Sequence, residues 1–311
     1  MKRVIALAAG FAALLVSAAV AAAPKAPDEH VSYRDYKDIL ALFDRLGYTA
    51  EAWRAGNLEV PPVYYGQVTR QWHDKASVAQ VADKKKVFFR LILPIALKVN
   101  EFILEDRARA TEITGRLSRG TDVSAEDQKW LGALAVRYKL IESPDQPLPA
   151  NLYPELLLRV DVVPPSLSLA QAASESGWGT SRFAAEGNSL YGQWSWGKGL
   201  TPKEQRTESV GDQRIAAFDS TFASAWGYAL NLNTQHAYQD LRLKRAELRQ
   251  NNQPISGVAL VPTLIHYSER GQAYVDELTS LMSRNRLATA DGAHLRDMPI
   301  IRLDYVGEKP K

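Results

Sequence analysis

The 311-residue sequence predicts a mainly α (α+β) protein, on three observations. Apolar residues recur three and four apart along most of its length, the spacing of one buried helix face. One short stretch, residues 206–219, breaks that rhythm: Thr207, Val210, Ile215 and Phe218 flank Gly211-Asp212, as in a small β-hairpin. Cysteine is absent, so no disulfide framework, thiol nucleophile or cysteine metal site is available and the fold rests on burial. A hydrophobic share of 46% against 23% charged residues excludes a disordered chain.

Taken in order, the elements begin with a targeting segment. Met1-Lys2-Arg3 is positive, Val4 to Val20 is an almost unbroken Ala/Leu/Val run, and Ala19-Val20-Ala21 puts small residues where a signal peptidase reads. Residues 1–21 are therefore expected to be a signal peptide cleaved near Ala21, delivering the chain to the periplasm. An uncleaved anchor competes, but the run is Ala-rich and weakly hydrophobic. No later segment approaches spanning length, so the mature chain is expected to have no stable membrane insertion. Removing Lys2 and Arg3 from the formal charge of +3 leaves +1, which gives no electrostatic case for nucleic acid.

Residues 22–142 read as an N-terminal helical region. Tyr36, Ile39, Leu40, Phe43 and Leu46 share a helix face that Gly47 ends, and Pro61-Pro62 makes the next residues extended. Val81 to Ala110 predicts a buried helix with a break or kink at Pro94, and Ser124 caps a helix reaching Tyr138. Ser143-Pro144-Asp145-Gln146-Pro147-Leu148-Pro149 is the clearest linker, so a second unit is set at 143–289, with 290–311 a C-terminal tail whose elements are unassigned. Within that unit, helices are expected at Leu152–Val160, from Pro165 onward, and at Ser220–Asn233, Gln239–Arg249, Val258–His266 and Gln272–Arg284.

Glu175 ends the small-residue helix that starts at Pro165, just before Gly177. A buried helix end disfavours a carboxylate twice, by lost hydration and by the carbonyl end of the helix dipole, so the pKa should rise and the group should serve as a general acid. Trp178 can lie beside it, and the stretch Asn188-Ser189-Leu190-Tyr191-Gly192-Gln193-Trp194-Ser195-Trp196 supplies rings and amides suited to carbohydrate. Packing into an ordinary core is the competing use of the same rings. The five histidines are scattered without a His-Glu-x-x-His spacing, and no Gly-x-Ser-x-Gly elbow exists, so neither a metal nor another cofactor is expected.

Leu169-Ala170-Gln171-Ala172-Ala173-Ser174-Glu175-Ser176-Gly177-Trp178-Gly179 resembles the signature of the glucosaminidase domain of bacterial peptidoglycan hydrolases, the flagellar-type β-N-acetylglucosaminidases of glycoside hydrolase family 73. The blocks Val160-Asp161-Val162-Val163-Pro164-Pro165-Ser166, Gly192-Gln193-Trp194, Asn231-Leu232-Asn233-Thr234-Gln235-His236-Ala237-Tyr238 and Tyr267-Ser268-Glu269-Arg270-Gly271 are similar to the Bax-type proteins of that family. Together they cover about residues 150–285.

The resemblance implies a lysozyme-like glucosaminidase domain with a small β-lobe across a substrate groove, acting on peptidoglycan glycan strands. It implies Glu175 as general acid and a second carboxylate on the lobe, among Glu204, Glu208, Asp212 and Asp219. Glu208, in Arg206-Thr207-Glu208-Ser209 at the start of the expected hairpin, is the choice, against a solvated loop residue. Tyr267 matches the family's late tyrosine, implied to face the sugar acetamide. Substrate contacts are expected from Trp178, Asn188, Tyr191, Gln193, Trp194, Trp196, Asn233 and His236, although His236 also suits a histidine bonded between helices. Hydrolysis of the β-1,4 bond between N-acetylglucosamine and N-acetylmuramic acid is the leading expectation. A muramidase or lytic transglycosylase, or a weakly catalytic wall-binding module, stays open.

Overall fold

Local capping signals decide where the helices begin. The computed structural model describes residues 28–76, 79–196, 199–201 and 213–307. The expected signal peptide lies outside them, as do Glu204, Glu208, Asp212, Thr207 and Val210. Strand β1 (Glu29–Tyr33) leads into α1 (Tyr36–Arg45), whose first turn is closed by Asp35 and Asp38 acting as reciprocal caps. Thr49 caps the short α2 (Ala50–Arg54). The Pro61-Pro62 pair then separates β2 (Glu59–Val60) from β3 (Val63–Tyr65), and α3 (Arg70–Ala76) follows.

Helix α4 (Val81–Ser118) runs for 38 residues straight through Pro94, so the sequence's expected break does not end it. Leu91 to Ala96 are all buried, and packing on this scale offsets the hydrogen bond that proline removes. Ser124 caps α5 (Ala125–Arg137) by accepting from the Asp127 amide.

Helices α6 (Tyr153–Arg159) and α7 (Pro165–Glu175) open the second half, and α7 starts at its proline. Every residue from Pro165 to Ala173 is buried, so α7 is the central helix, enclosed by α4, the later helices and the turn at 287–292. After α8 (Arg182–Gly187) comes β4 (Trp194–Trp196), paired antiparallel with β5 (Gln213–Ile215). Among the described residues, the 213–215 strand pairs with Trp194–Trp196 and, at Ile215, with Leu200; the first half of the expected hairpin and its Gly211-Asp212 turn lie outside them. Helices α9 (Thr221–Thr234), α10 (Gln239–Gln250), α11 (Gly257–Leu260) and α12 (Gln272–Arg284) complete a mainly helical, lysozyme-like architecture with small sheets.

The tail that the sequence leaves unassigned carries two strands. β6 (His294–Leu295) pairs with β2, and β7 (Ile301–Tyr305) inserts between β1 and β3 as the centre of a parallel sheet. Ile301 and Leu303 are buried while Arg302 and Asp304 face out, the two-residue period of a strand. The 22–142 region is therefore helical with three strands, and its sheet is completed by the far end of the chain. Asp291 ties the same tail to α7, accepting from Ser166 N and Oγ at 2.8 Å each and from Gly257 N at 2.9 Å. Among the described residues, no helix is long and apolar enough to cross a membrane.

Candidate active site

The C-terminus of α7 turns sharply because three successive residues take left-handed backbone: Gly177 (φ 56°), Trp178 (φ 64°) and Gly179 (φ 74°). Ser176 stabilises the turn, donating to Ala172 O and accepting from Gly179 N at 2.8 Å. Glu175 is thus left projecting from the end of the central helix. Burial pushes its carboxyl above the usual range; a hydrogen bond from Tyr274 pulls back, Glu277 nearby pushes up again, and Arg270 opposes it. The net displacement is upward, toward the protonated form a general acid needs.

A polar chain orients that carboxyl. The Tyr228 hydroxyl donates to Gln171 Oε1 at 2.5 Å, Gln171 Nε2 donates to the Tyr274 oxygen at 3.0 Å, and Tyr274 donates to Glu175 Oε1 at 2.7 Å. An amide nitrogen only donates, so the tyrosine's single proton goes to the glutamate. Oε1 is therefore engaged as an acceptor. Oε2 faces Gly192, where a β-carbon would come within 2.8 Å of it. Gly192 has φ 62° and opens the segment leading into β4, which sets the small β-lobe beside the free oxygen.

Five tyrosines surround the acid. Tyr267 stacks flat on Tyr274 (centroids 5.5 Å, 1° between planes) and tilts against Tyr238, while Tyr191 stacks on Tyr228 at 4.0 Å. The Tyr267 hydroxyl donates to Tyr191 O at 2.9 Å, and the Tyr191 hydroxyl bonds Ser168 Oγ. Burial pushes Tyr267 and Tyr191 well up, so both stay neutral. Sequence reasoning missed Tyr274, Tyr228 and Gln171. Gln171 lies one helical turn before Glu175, a spacing that could have pointed to it; Tyr274 is 99 residues away and left no such signal.

The remaining expected site residues divide. Trp194 is 51% exposed on β4, next to Gly192-Gln193, and the Gln193 side-chain oxygen is buried with no hydrogen-bond partner among the described residues. Trp196 pairs through its backbone with Gln213. The Trp178 ring packs edge-on against Phe88 and Phe89 of α4, and the Trp178 carbonyl accepts from Trp72 Nε1 at 3.0 Å. Asn188, in left-handed backbone, spends both ends of its amide on main chain, at Val68 N and Phe218 O. Buried Asn233 donates to Asp161 O at 2.9 Å. His236 is exposed at a turn, not held between helices as the sequence suggested. Asp219 is exposed just before α9, and Glu208 lies outside the described residues.

A buried ion cluster underlies the start of α7. Burial alone would push Asp161 up, but Arg249 hydrogen-bonds both its oxygens and the Arg245 and Arg107 charges add to this, holding it below the usual range. Fully buried Arg245 also donates to the carbonyls of Leu158, Asp161 and Val162. Among the described residues, no group of three or more acidic or histidine side chains is placed to hold a metal.

Residues 150–287 match the Glucosaminidase family, described as mannosyl-glycoprotein endo-beta-N-acetylglucosaminidase. The chain is similar to Protein bax of Escherichia coli (strain K12), with 32% identity over 214 residues, covering 68% of this chain and 73% of that protein. No solved structure matches it.

Proposed function

We propose that this chain, which belongs to the glucosaminidase family as a Bax-type protein, is an exported endo-β-N-acetylglucosaminidase of peptidoglycan with Glu175 as its general acid. The observation that carries the reading is the state of the Glu175 carboxyl: buried, displaced toward the protonated form, with Oε1 occupied by Tyr274 and Oε2 facing Gly192 beside the β-lobe. In this reading residues 143–289 carry the chemistry, residues 22–142 and 290–311 support it, and residues 1–21 direct export.

The substrate is the β-1,4 bond between N-acetylglucosamine and N-acetylmuramic acid. Glu175 gives its Oε2 proton to the glycosidic oxygen as the C1–O bond breaks, and the bonding pair leaves with that oxygen. The developing positive charge at C1 is met by water activated at Glu208 or by the substrate's own acetamide oxygen. Tyr267 has its hydroxyl proton committed to Tyr191 O, so its oxygen is left as an acceptor for the acetamide N–H. Trp194, and with it Trp196 and Gln193 on the same segment, would stack on and bond the sugars.

The test is digestion of purified cell walls followed by mass spectrometry of the fragments. Wild type should release reducing N-acetylglucosamine ends, and Glu175→Gln should lose about 10²–10⁴-fold in rate. Full activity in the variant would overturn the assignment.

A further inference from the structure

A cavity of about 340 Å³ lies away from Glu175, between α2, the first half of α4 and the turn after α12. That volume is within the range of small-ligand sites, roughly 300–1,000 Å³. None of its lining residues is a hydrogen-bond partner of Glu175.

The composition of the wall is one-sided. Trp53, Phe89, Leu93, Leu169 and Leu287 give it an apolar body, and Arg54, Lys85, Lys86, Arg90 and Arg286 surround that body with five cations and no lining carboxylate. Arg54 is paired with Glu51 and Lys86 with Asp83, both near the surface. Lys85, Arg90 and Arg286 form no ion pair among the described residues.

Two of these three cations are held in position. Lys85 Nζ donates to Asn285 Oδ1 at 3.0 Å and lies 5.2 Å from the centre of the Trp178 ring. The Arg90 guanidinium sits over the rings of Tyr48 and Phe43, at 5.4 and 5.6 Å. Stacking fixes their geometry, and Arg90 feels the carboxylates of Asp44 and Glu51 only beyond ion-pair distance, so a ligand need not order them. Partly buried cations on an apolar wall attract an anion more strongly than solvated lysines do, because less water screens them.

We propose that this cavity is a second ligand site that takes a carboxylate carried on a short apolar body. A short acyl chain supplies that chemistry, whereas an acidic dipeptide offers the carboxylate without the apolar body. Charge complementarity selects the carboxylate, and the Trp53 and Phe89 rings with the leucines select the apolar body.

Isothermal titration of the full-length protein tests it with four probes: 4-phenylbutyrate, its uncharged amide, octanoate and the dipeptide Ala-Glu. One carboxylate should bind per chain, and the amide should bind about tenfold more weakly than 4-phenylbutyrate. Lys85→Gln should weaken carboxylate binding about tenfold, while Lys84→Gln, one residue outside the lining, should leave it unchanged. Ala82→Trp, at an exposed lining position, fills the cavity without removing a charge and should abolish binding even if the lysine variant folds poorly. Octanoate binding above Ala-Glu supports the site; Ala-Glu, whose body is polar, binding above octanoate would overturn the selection of an apolar body. Failure of all three carboxylates to bind at millimolar concentration, equal binding of the amide, or binding that survives Ala82→Trp would overturn it. Wall hydrolysis by Glu175 is read separately, so the two results stand apart.

Discussion

The Tyr274 hydroxyl donates to Glu175 Oε1 at 2.7 Å, so a tyrosine proton permanently occupies one oxygen of the candidate acid. A donated bond favours the carboxylate, against the burial that favours the acid. Tyr274→Phe removes the bond and leaves the burial, so the Glu175 pKa should rise further. Because the acid must be protonated to act, the alkaline limb of the kcat/KM profile should move to higher pH. The rate at the optimum should fall about tenfold as the carboxyl loses its anchor. An unmoved alkaline limb would remove Tyr274 from this role.

Gly192 faces the other oxygen. Alanine there would force φ 62° on a side chain that avoids it and place a β-carbon 2.8 Å from Oε2. Strain alone costs about 1–2 kcal/mol, whereas obstruction of the proton-bearing oxygen should remove most wall-hydrolysing activity. Comparing melting temperature with activity for Gly192→Ala separates the two; a folded variant with wild-type activity would show that Oε2 is not the working oxygen.

Glu175 should also report its own environment through stability. Its folded-state pKa is raised, so the stability it contributes is present below the unfolded pKa and lost as pH rises through the folded one. Glu175→Gln, which cannot ionise, should therefore melt higher than wild type at neutral pH. The gap should close as pH falls below the ordinary glutamate range of about 4.3. A variant less stable than wild type at pH 7 would mean that the carboxylate is favourably held, contrary to the assigned acid.

Asp161 titrates with the opposite sign. Its three arginines hold its pKa down, so its contribution is present above the unfolded pKa and lost as pH falls through the folded one. Asp161→Asn leaves buried Arg245 without its counter-charge and should cost about 3–5 kcal/mol. Denaturant unfolding at pH 7 and at a pH below the ordinary aspartate value of about 3.9 measures both statements.

Much of the helical frame was legible because its signals are local. The bounds of α12, Gln272–Arg284, and the start of α7 at Pro165 agree with apolar spacing and turn chemistry read from a dozen residues each. The position of Glu175 was legible for the same reason, as a glutamate closing a small-residue helix before Gly177. Strand β7 was not: its five residues gain meaning only between β1 and β3, more than 230 residues upstream. Three-residue strands such as β4 carry too few alternations to announce a partner, so the pairing of β5 with Trp194–Trp196 was not legible. Asn188 and Asn233 show another limit. A primary amide suits a sugar hydroxyl and a backbone carbonyl equally, and here both ends of the Asn188 amide and the nitrogen of the buried Asn233 amide are spent on backbone groups. Tyr274 came from 99 residues beyond the acid, reachable only once α7 and α12 pack together.

The central claim is that Glu175 protonates an amino-sugar linkage in peptidoglycan. Mass spectrometry of wall fragments from wild type and Glu175→Gln, at matched protein and time, tests it most directly. The account predicts fragments ending in reducing N-acetylglucosamine from wild type and almost none from the variant. Fragments ending in muramic acid or its anhydro form, or undiminished release by Glu175→Gln, would contradict it.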